Sequence, residues 1–126
     1  MNIDYLKPIY NLLIADIDVM SIIKETENIL FNDFPADTPR NIIIYEISEL
    51  SNGLSKSNNK RIQINLYHTD KFKCAELSEY VKNCLHTFQG LTSNVMFTSI
   101  YMTNINGMLK TENDEYIIVQ DYLVQY

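Results

Sequence analysis

The chain has 126 residues, 46% of them hydrophobic and 21% charged, and a formal net charge of −6. This composition excludes a mainly disordered chain, and the length favours one domain with a single core two layers deep. The ten basic residues are scattered, which argues against a protein that binds nucleic acid over its whole surface, because phosphate neutralisation needs clustered cations. The sequence has no apolar run near the roughly 18 residues that cross a bilayer and no signal-peptide pattern, so we expect cytoplasmic synthesis and no membrane partner.

The N-terminal residues predict two helices. Residues 4–16 carry apolar side chains at helical spacing. The weaker pattern of residues 16–24 predicts a second, short helix capped by Asp18. The apolar side of the first helix consists of Leu6, Ile9, Leu13 and Ile17, widened by Tyr10 and Ile14.

The next part of the chain predicts two strands and two loops. Residues 27–31 predict a short edge strand, and residues 32–40, with two prolines and two aspartates, predict a loop. Residues 41–47 form a continuous β-branched and aromatic run, which predicts a central strand covered on both faces. The polar residues 51–59 then predict a long hairpin arm that leads to the following strand.

The stretch that follows this arm has the clearest pattern. Residues 60–68 alternate between polar and apolar side chains, which predicts a strand with one apolar face. The spacing then becomes helical, and we predict Asp70 as the N-cap of this helix and Gly90 as its C-terminal cap. The apolar stripe of the helix consists of Cys74, Leu77, Val81, Cys84, Leu85 and Phe88.

Two further strands close the chain. They cover residues 95–105 and 116–126, with Asn106-Gly107 as the predicted end of the first strand and residues 110–115 as a charged loop between them. Alternation along the first of these strands places Phe97 and Tyr101 on one face and Ile100 and Met102 on the other.

The order of helix, two strands, helix and two strands predicts a single α+β domain. We expect a largely antiparallel or mixed sheet of four to five strands, with two main helices packed on one face. The other face would remain open, and exposed aromatic residues on an uncovered sheet face usually mark a partner surface. Depending on register, the tyrosines on that face are Tyr45, Tyr67 and either Tyr116 or Tyr122.

Residues of the kinds used in catalysis and metal binding have simpler structural interpretations. Asp16 and Asp18 resemble a carboxylate pair for a divalent cation, but without a third ligand a helix end and its cap are favoured. His68 and His86 fall at the end of a strand and near the end of a helix, where neither needs a catalytic role. The three glycines are too few for a phosphate-binding loop, and no nucleophile elbow occurs. We therefore predict no catalytic, cofactor or metal residues and no enzyme activity.

The two cysteines are predicted not to pair. Cys74 and Cys84 lie on one helix, roughly 15 Å apart along its axis, which is too far for a disulfide. We expect both to be small buried residues of the core stripe.

A partner surface is predicted at the two polar loops and on the open sheet face. Its candidate residues are Ser51, Asn52, Leu54, Lys56, Asn58, Lys60, Arg61, Tyr45, Tyr67, Lys110, Glu112, Asp114, Glu115 and Tyr122. Two alternatives remain open. The loops could be solvated connections and the tyrosines core residues. A local basic patch at Lys56, Lys60 and Arg61 competes with a solvated hairpin rim.

These motifs together resemble a known family. The loop DFPADTP followed by the strand NIIIYEI, the strand and helix RIQINLYHTDKFKCAELSEYVKNCL, and the closing strand YIIVQDYLVQY resemble the tail terminator (tail completion) proteins of long-tailed, siphovirus-type phages. The resemblance covers nearly the whole chain. Its helix motif consists of Ala75, Leu77, Val81 and Leu85.

The resemblance implies a structural virion protein without enzyme activity or cofactor. It implies a small α+β subunit that forms a ring, a hexamer, on the end of the tail tube, stops tube growth and presents a surface to head-completion proteins. The implied partners are sister subunits, the tail tube protein and a head-completion or connector protein, in the tail or neck of a virion assembled in the host cytoplasm. DNA would pass through the ring without sequence-specific binding, since a hexamer would carry a charge on the order of −36 that does not retain phosphate.

Other functions remain open at this point. A head-tail adaptor or stopper is the nearest alternative, because it belongs to the same class of neck protein. A small ligand-binding or regulatory domain would instead use the sheet face as a pocket, and an enzyme would need carboxylates or histidines that converge in a cleft.

Overall fold

A computed structural model describes residues 5–32, 39–49 and 59–126. The helices are α1 (Leu6–Ala15), α2 (Ile17–Ile23) and α3 (Lys71–Leu85), with a 3-10 turn at Thr26–Asn28. The strands are β1 (Ile29–Phe31), β2 (Ile42–Glu49), β3 (Asn59–His68), β4 (Phe88–Thr92), β5 (Val95–Lys110) and β6 (Tyr116–Gln125). None of the helices in these ranges is long and apolar enough to cross a membrane.

The strands form one curled, half-barrel sheet in the order β1-β2-β3-β6-β5-β4. β1 pairs with β2 in parallel, and the other neighbours are antiparallel. α3 packs on β3, β5 and β6, and α1 and α2 pack beside α3. The predicted α+β class and mixed sheet are confirmed, but within the described ranges the sheet has six strands instead of four to five, and there are three α-helices.

The core lies between the sheet and the helices. Ile62, Ile64 and Leu66 of β3 are fully buried on the helix face, which confirms the alternation read from the sequence. Ile43 is also fully buried although it points to the opposite face, so the prediction that β2 is covered on both sides is confirmed there. Burial of such side chains contributes about 1.5–3 kcal/mol each, which makes this layer the main source of stability.

The N-terminal and C-terminal aromatic residues meet at one side of the core. The rings of Tyr5 and Tyr126 stack with centroids 5.2 Å apart. The Tyr5 hydroxyl donates a hydrogen bond of 2.6 Å to Glu46 Oε2. This contact fixes the start of α1 against strands that lie far away in sequence.

The start of α3 confirms its predicted cap. Asp70 Oδ1 accepts hydrogen bonds from the backbone N–H groups of Phe72 and Lys73, at 2.9 and 3.2 Å. These are amides that a helix leaves without internal partners. The apolar stripe of the following helix is buried as expected at Cys74, Leu77, Val81 and Leu85.

The junction between α1 and α2 corrects two predictions. Asp16, and not Asp18, caps α2, because its Oδ1 accepts the Val19 N–H at 3.0 Å. The chain is extended at Asp16, with ψ near 117°, so Ile17 begins a new helix instead of continuing the apolar side of α1. Its side chain is 84% exposed.

The end of α3 differs from the prediction. The helix ends at Leu85, because the chain is extended at His86, with ψ 127°, and Thr87 follows with a positive φ of 67°. Phe88 therefore begins β4, and Gly90 lies inside that strand with φ 146° instead of capping the helix. The prediction was wrong because an apolar residue at position 88 fits the helical spacing and a short strand equally well.

β5 is longer than predicted because Asn106-Gly107 does not end it. Its register against β6 shifts between Asn106 and Leu109, so the turn-like dipeptide lies at a β-bulge. Another register shift, against β4, changes the alternation near the start of β5. As a result Phe97 and Ile100 are both buried, with at most 1% exposure, although simple alternation puts them on opposite faces.

Candidate assembly surface

The structure describes only part of the predicted partner surface. The arm residues Ser51, Asn52, Leu54, Lys56 and Asn58 lie outside the described residues. The other candidates are distributed over the helix face, the open face and the β5–β6 loop.

Lys60 and Arg61 lie on opposite faces of β3. Lys60 has the same parity as the buried isoleucines of that strand and is 5% exposed, with its Nζ 6.0 Å from the centroid of the Tyr5 ring. The prediction of an exposed basic rim is therefore wrong for Lys60, because strand alternation places it on the same buried face as Ile62 and Ile64. Arg61 is exposed on the open face.

Tyr122 belongs to the core and not to the open face. It lies opposite Ile62 in the sheet and is fully buried. Its hydroxyl donates to Gln120 Oε1 at 2.7 Å, and Gln120 Nε2 donates at 2.9 Å to both the carbonyl oxygen and the Oγ of Ser78. Burial raises the pKa of the Tyr122 hydroxyl, so it stays a neutral donor in a network that ties β6 to α3. Ile118, Gln120 and Tyr122 occupy every second position of β6, so alternation places all three on one face of the sheet. Sequence reasoning missed this signal.

The other two candidate tyrosines lie on the open face near Arg40. The Arg40 guanidinium covers the Tyr67 ring at 4.2 Å from its centroid, and Arg40 Nη2 lies 3.3 Å from Glu115 Oε1. Tyr67 is consequently only 7% exposed, whereas Tyr45 is half-buried. Burial raises the pKa of the Tyr45 hydroxyl, with Tyr67 adding to the effect and Arg40 opposing it. Glu115, predicted as a loop contact, thus holds an internal ion pair across the open face.

A groove of about 460 Å³ also lies on the open face. Its walls include one cationic side chain, Arg61, one acidic side chain, Asp121, and the half-exposed Ile47. The groove therefore crosses several strands and mixes both signs of charge with apolar surface. The full lining is Ile47, Arg61, Gln63, Thr103, Asn104 and Asp121.

The loop between β5 and β6 is charged and exposed, as predicted. Lys110 Nζ lies 3.5 Å from Asp114 Oδ1 in an exposed i,i+4 ion pair. Glu112 is exposed as well. Exposure makes these three residues available to a partner, and their role in an interface stays a prediction.

The outer edge of β5 is a surface that sequence reasoning missed. β4 pairs with β5 only as far as Ile100, and the Met102 N–H then donates to His86 Nδ1 at 2.9 Å. Beyond that bond, no strand in the described ranges pairs with the outer edge from Thr103 to Lys110. Ile105 and Leu109 on this segment are 43% and 69% exposed.

The groups considered for chemistry have structural partners. Cys84 Sγ lies 3.5 Å from the Leu12 carbonyl oxygen, and burial raises the pKa of Cys74 to about 11 and that of Cys84 to about 12. His68 Nδ1 accepts the Asp70 N–H at 2.9 Å, and burial lowers the pKa of its ring. Among residues 5–32, 39–49 and 59–126, His, Cys, Asp and Glu side chains form no group of three that could hold a metal ion.

Neither a protein-family model nor a curated protein sequence matches this chain. Among solved structures, the chain is similar to a protein chain in the virion of a native gene transfer agent (GTA) particle. The TM-score is 0.69, the match covers 94% of this chain and 91% of that chain, and 11% of the residues are identical. A likeness at this identity shows that the two chains share a fold.

Proposed function

We propose that this protein is a structural, non-enzymatic subunit of a phage-like virion, and that it forms a hexameric ring which ends the tail tube and joins it to the head. The observation that carries the virion assignment is the fold likeness to a GTA virion protein over 94% of this chain and 91% of the other. The narrower role of tail terminator rests on the sequence motifs of the proline loop, the β3–α3 unit and the closing strand.

The distribution of exposed surface supports a ring subunit. A contact that closes a ring is heterologous, so each subunit needs two different patches that fit each other. The groove at Arg61 and Asp121 and the outer edge of β5 are two different exposed surfaces of this chain. The net charge of −6 per chain also suits a ring through which DNA passes, because acidic walls do not retain phosphate.

Two other functions compete with this proposal. A head-tail adaptor or stopper would use the same fold and the same kind of surface. A small ligand-binding module is favoured by the groove itself, which has a volume of about 460 Å³ and carries both a guanidinium and a carboxylate.

The mass and shape of the purified protein test the proposal. We expect light scattering to give six times the 14.7 kDa of one chain and negative-stain microscopy to show rings. When separated tails and filled heads of the encoding particle are offered together, a terminator binds to tails first, whereas an adaptor or stopper binds to heads first. A compact monomer that binds to neither, and whose melting temperature rises with a metabolite, would favour the ligand-binding module.

A further inference from the structure

We infer that the outer edge of β5, from Thr103 to Lys110, accepts a strand from a second copy of this chain. The inference rests on the proposed function for the presence of neighbouring copies, and it names the backbone contact that would join them. It extends the sheet of one subunit into the next by strand addition.

The direction of the backbone groups on this edge follows from the observed pairing. The Met102 N–H points outward, to His86, and therefore away from β6. Successive residues of a strand alternate in the direction of their N–H and C=O groups. Tyr122, which lies opposite Met102, therefore directs its backbone groups toward β3, and its neighbour Asp121 directs them toward β5. Beyond the bulge, Asn104 lies opposite Asp121 and bonds to β6, so the N–H and C=O of Ile105 again point outward. At Ile105 the edge thus presents a donor and an acceptor that an added strand can pair.

The side chains of this segment do not block strand addition. Edge strands that stay single usually carry charges, proline or β-bulges, or are covered by another element. Between Thr103 and Lys110 the chain has one charged residue, Lys110, and no proline. The two bulges leave only a short regular stretch around Ile105, which suits a contact of fixed length better than an open-ended fibre.

Charge favours another copy of this chain as the occupant. The segment from Thr103 to Lys110 has no acidic residue, whereas the whole chain carries a net charge of −6. A second copy is therefore an acidic partner, and this neutral to cationic edge adds no negative charge that would repel it. An added strand would also cover part of Ile105 and Leu109, which are exposed on opposite faces of β5.

Two substitutions at one position separate the backbone contact from the side-chain contact. Ile105→Pro removes the outward N–H but no bond to β6, and proline is tolerated on an edge whose N–H faces outward. Ile105→Ala removes most of the side chain and keeps the N–H. Both full-length variants are compared with the unchanged protein by light scattering over a concentration series, and circular dichroism melts confirm that both are folded.

We expect the proline variant to need about tenfold more protein, or more, for half-assembly, and the alanine variant to stay closer to the unchanged protein. A folded proline variant that assembles as well as the unchanged chain would overturn the inference and leave a ring, and so the proposed function, intact. A discrete dimer that the proline variant abolishes would support the inference and contradict the ring. An unchanged chain that is monomeric at every concentration would overturn the inference, because the edge would then serve a different protein or none.

Discussion

The two halves of β5 show how one strand can be both core and surface. From Val95 to Ile100 the strand pairs with β4 on one side and is joined by β6 on the other only from Ser99, and Phe97 and Ile100 are almost fully buried. From Tyr101 onward it keeps β6 as its strand neighbour within the described ranges, and Tyr101, Ile105 and Leu109 are exposed. Both halves are rich in apolar residues, so the neighbouring elements, and not hydrophobicity, decide which half is core. The half from Tyr101 to Lys110, the bare half, therefore holds apolar surface that no other element in the described ranges covers.

The largest expected effect compares one apolar residue from each half. Phe97→Ala should destabilise the protein by about 3–5 kcal/mol, because it leaves a cavity in a packed core. The Phe97 ring contacts those of Phe88 and Tyr126 edge-on, with centroids 6.2 and 6.3 Å apart. Leu109→Ala should cost less than about 0.5 kcal/mol. Urea unfolding monitored by circular dichroism measures both, and similar losses for the two variants would show that the distal half of β5 is packed as well.

A smaller effect is expected from two tyrosine hydroxyls. Tyr122→Phe removes the donor to the buried Gln120 Oε1 and should cost about 1–3 kcal/mol, because that acceptor is left without its partner. Tyr101→Phe is the matched control in the bare half, where the ring is 54% exposed and keeps its contact with His86 at 4.7 Å. The urea midpoints of the two variants should differ clearly. A midpoint for Tyr122→Phe equal to that of the control would mean that the hydroxyl network does not hold β6 to α3.

The smallest effect concerns two aspartates near the same end of the sheet. Asp70→Ala removes the cap of α3, the helix that covers the core, and should cost about 1 kcal/mol. Asp114→Ala removes only an exposed ion pair with Lys110 and should cost less than about 0.5 kcal/mol. Thermal melts in low and high salt compare them. Greater destabilisation by Asp114→Ala would contradict the assignment of the cap as the stronger interaction.

Local patterns in the sequence were sufficient for part of this fold. β3 and α3 were predictable because the period changes from two to 3.6 at Asp70, and Asp70 itself has the chemistry of a cap. β4 and the bulges were not predictable. A bulge reverses the alternation at one point, as it does between Phe97 and Ile100, and its position depends on a partner strand rather than on local composition.

The candidate surface was predictable to a smaller extent. Exposure was anticipated correctly for Arg61, Glu112 and Asp114, since charged loop and strand residues seldom become buried. It was not anticipated that Tyr122 is buried, because its face depends on how β6 registers with β3. The free edge of β5 was missed for a similar reason: only the register between β4 and β5 shows that their pairing stops at Ile100.

The stacking of Tyr5 on Tyr126 has a consequence for how the chain folds. The first turn of α1 acquires its aromatic neighbour only after the last strand has joined the sheet, so the most distant parts of the sequence must meet before the core is complete. Contacts of such long separation slow folding. During synthesis, we expect α1 to stay incompletely packed until β6 has left the ribosome.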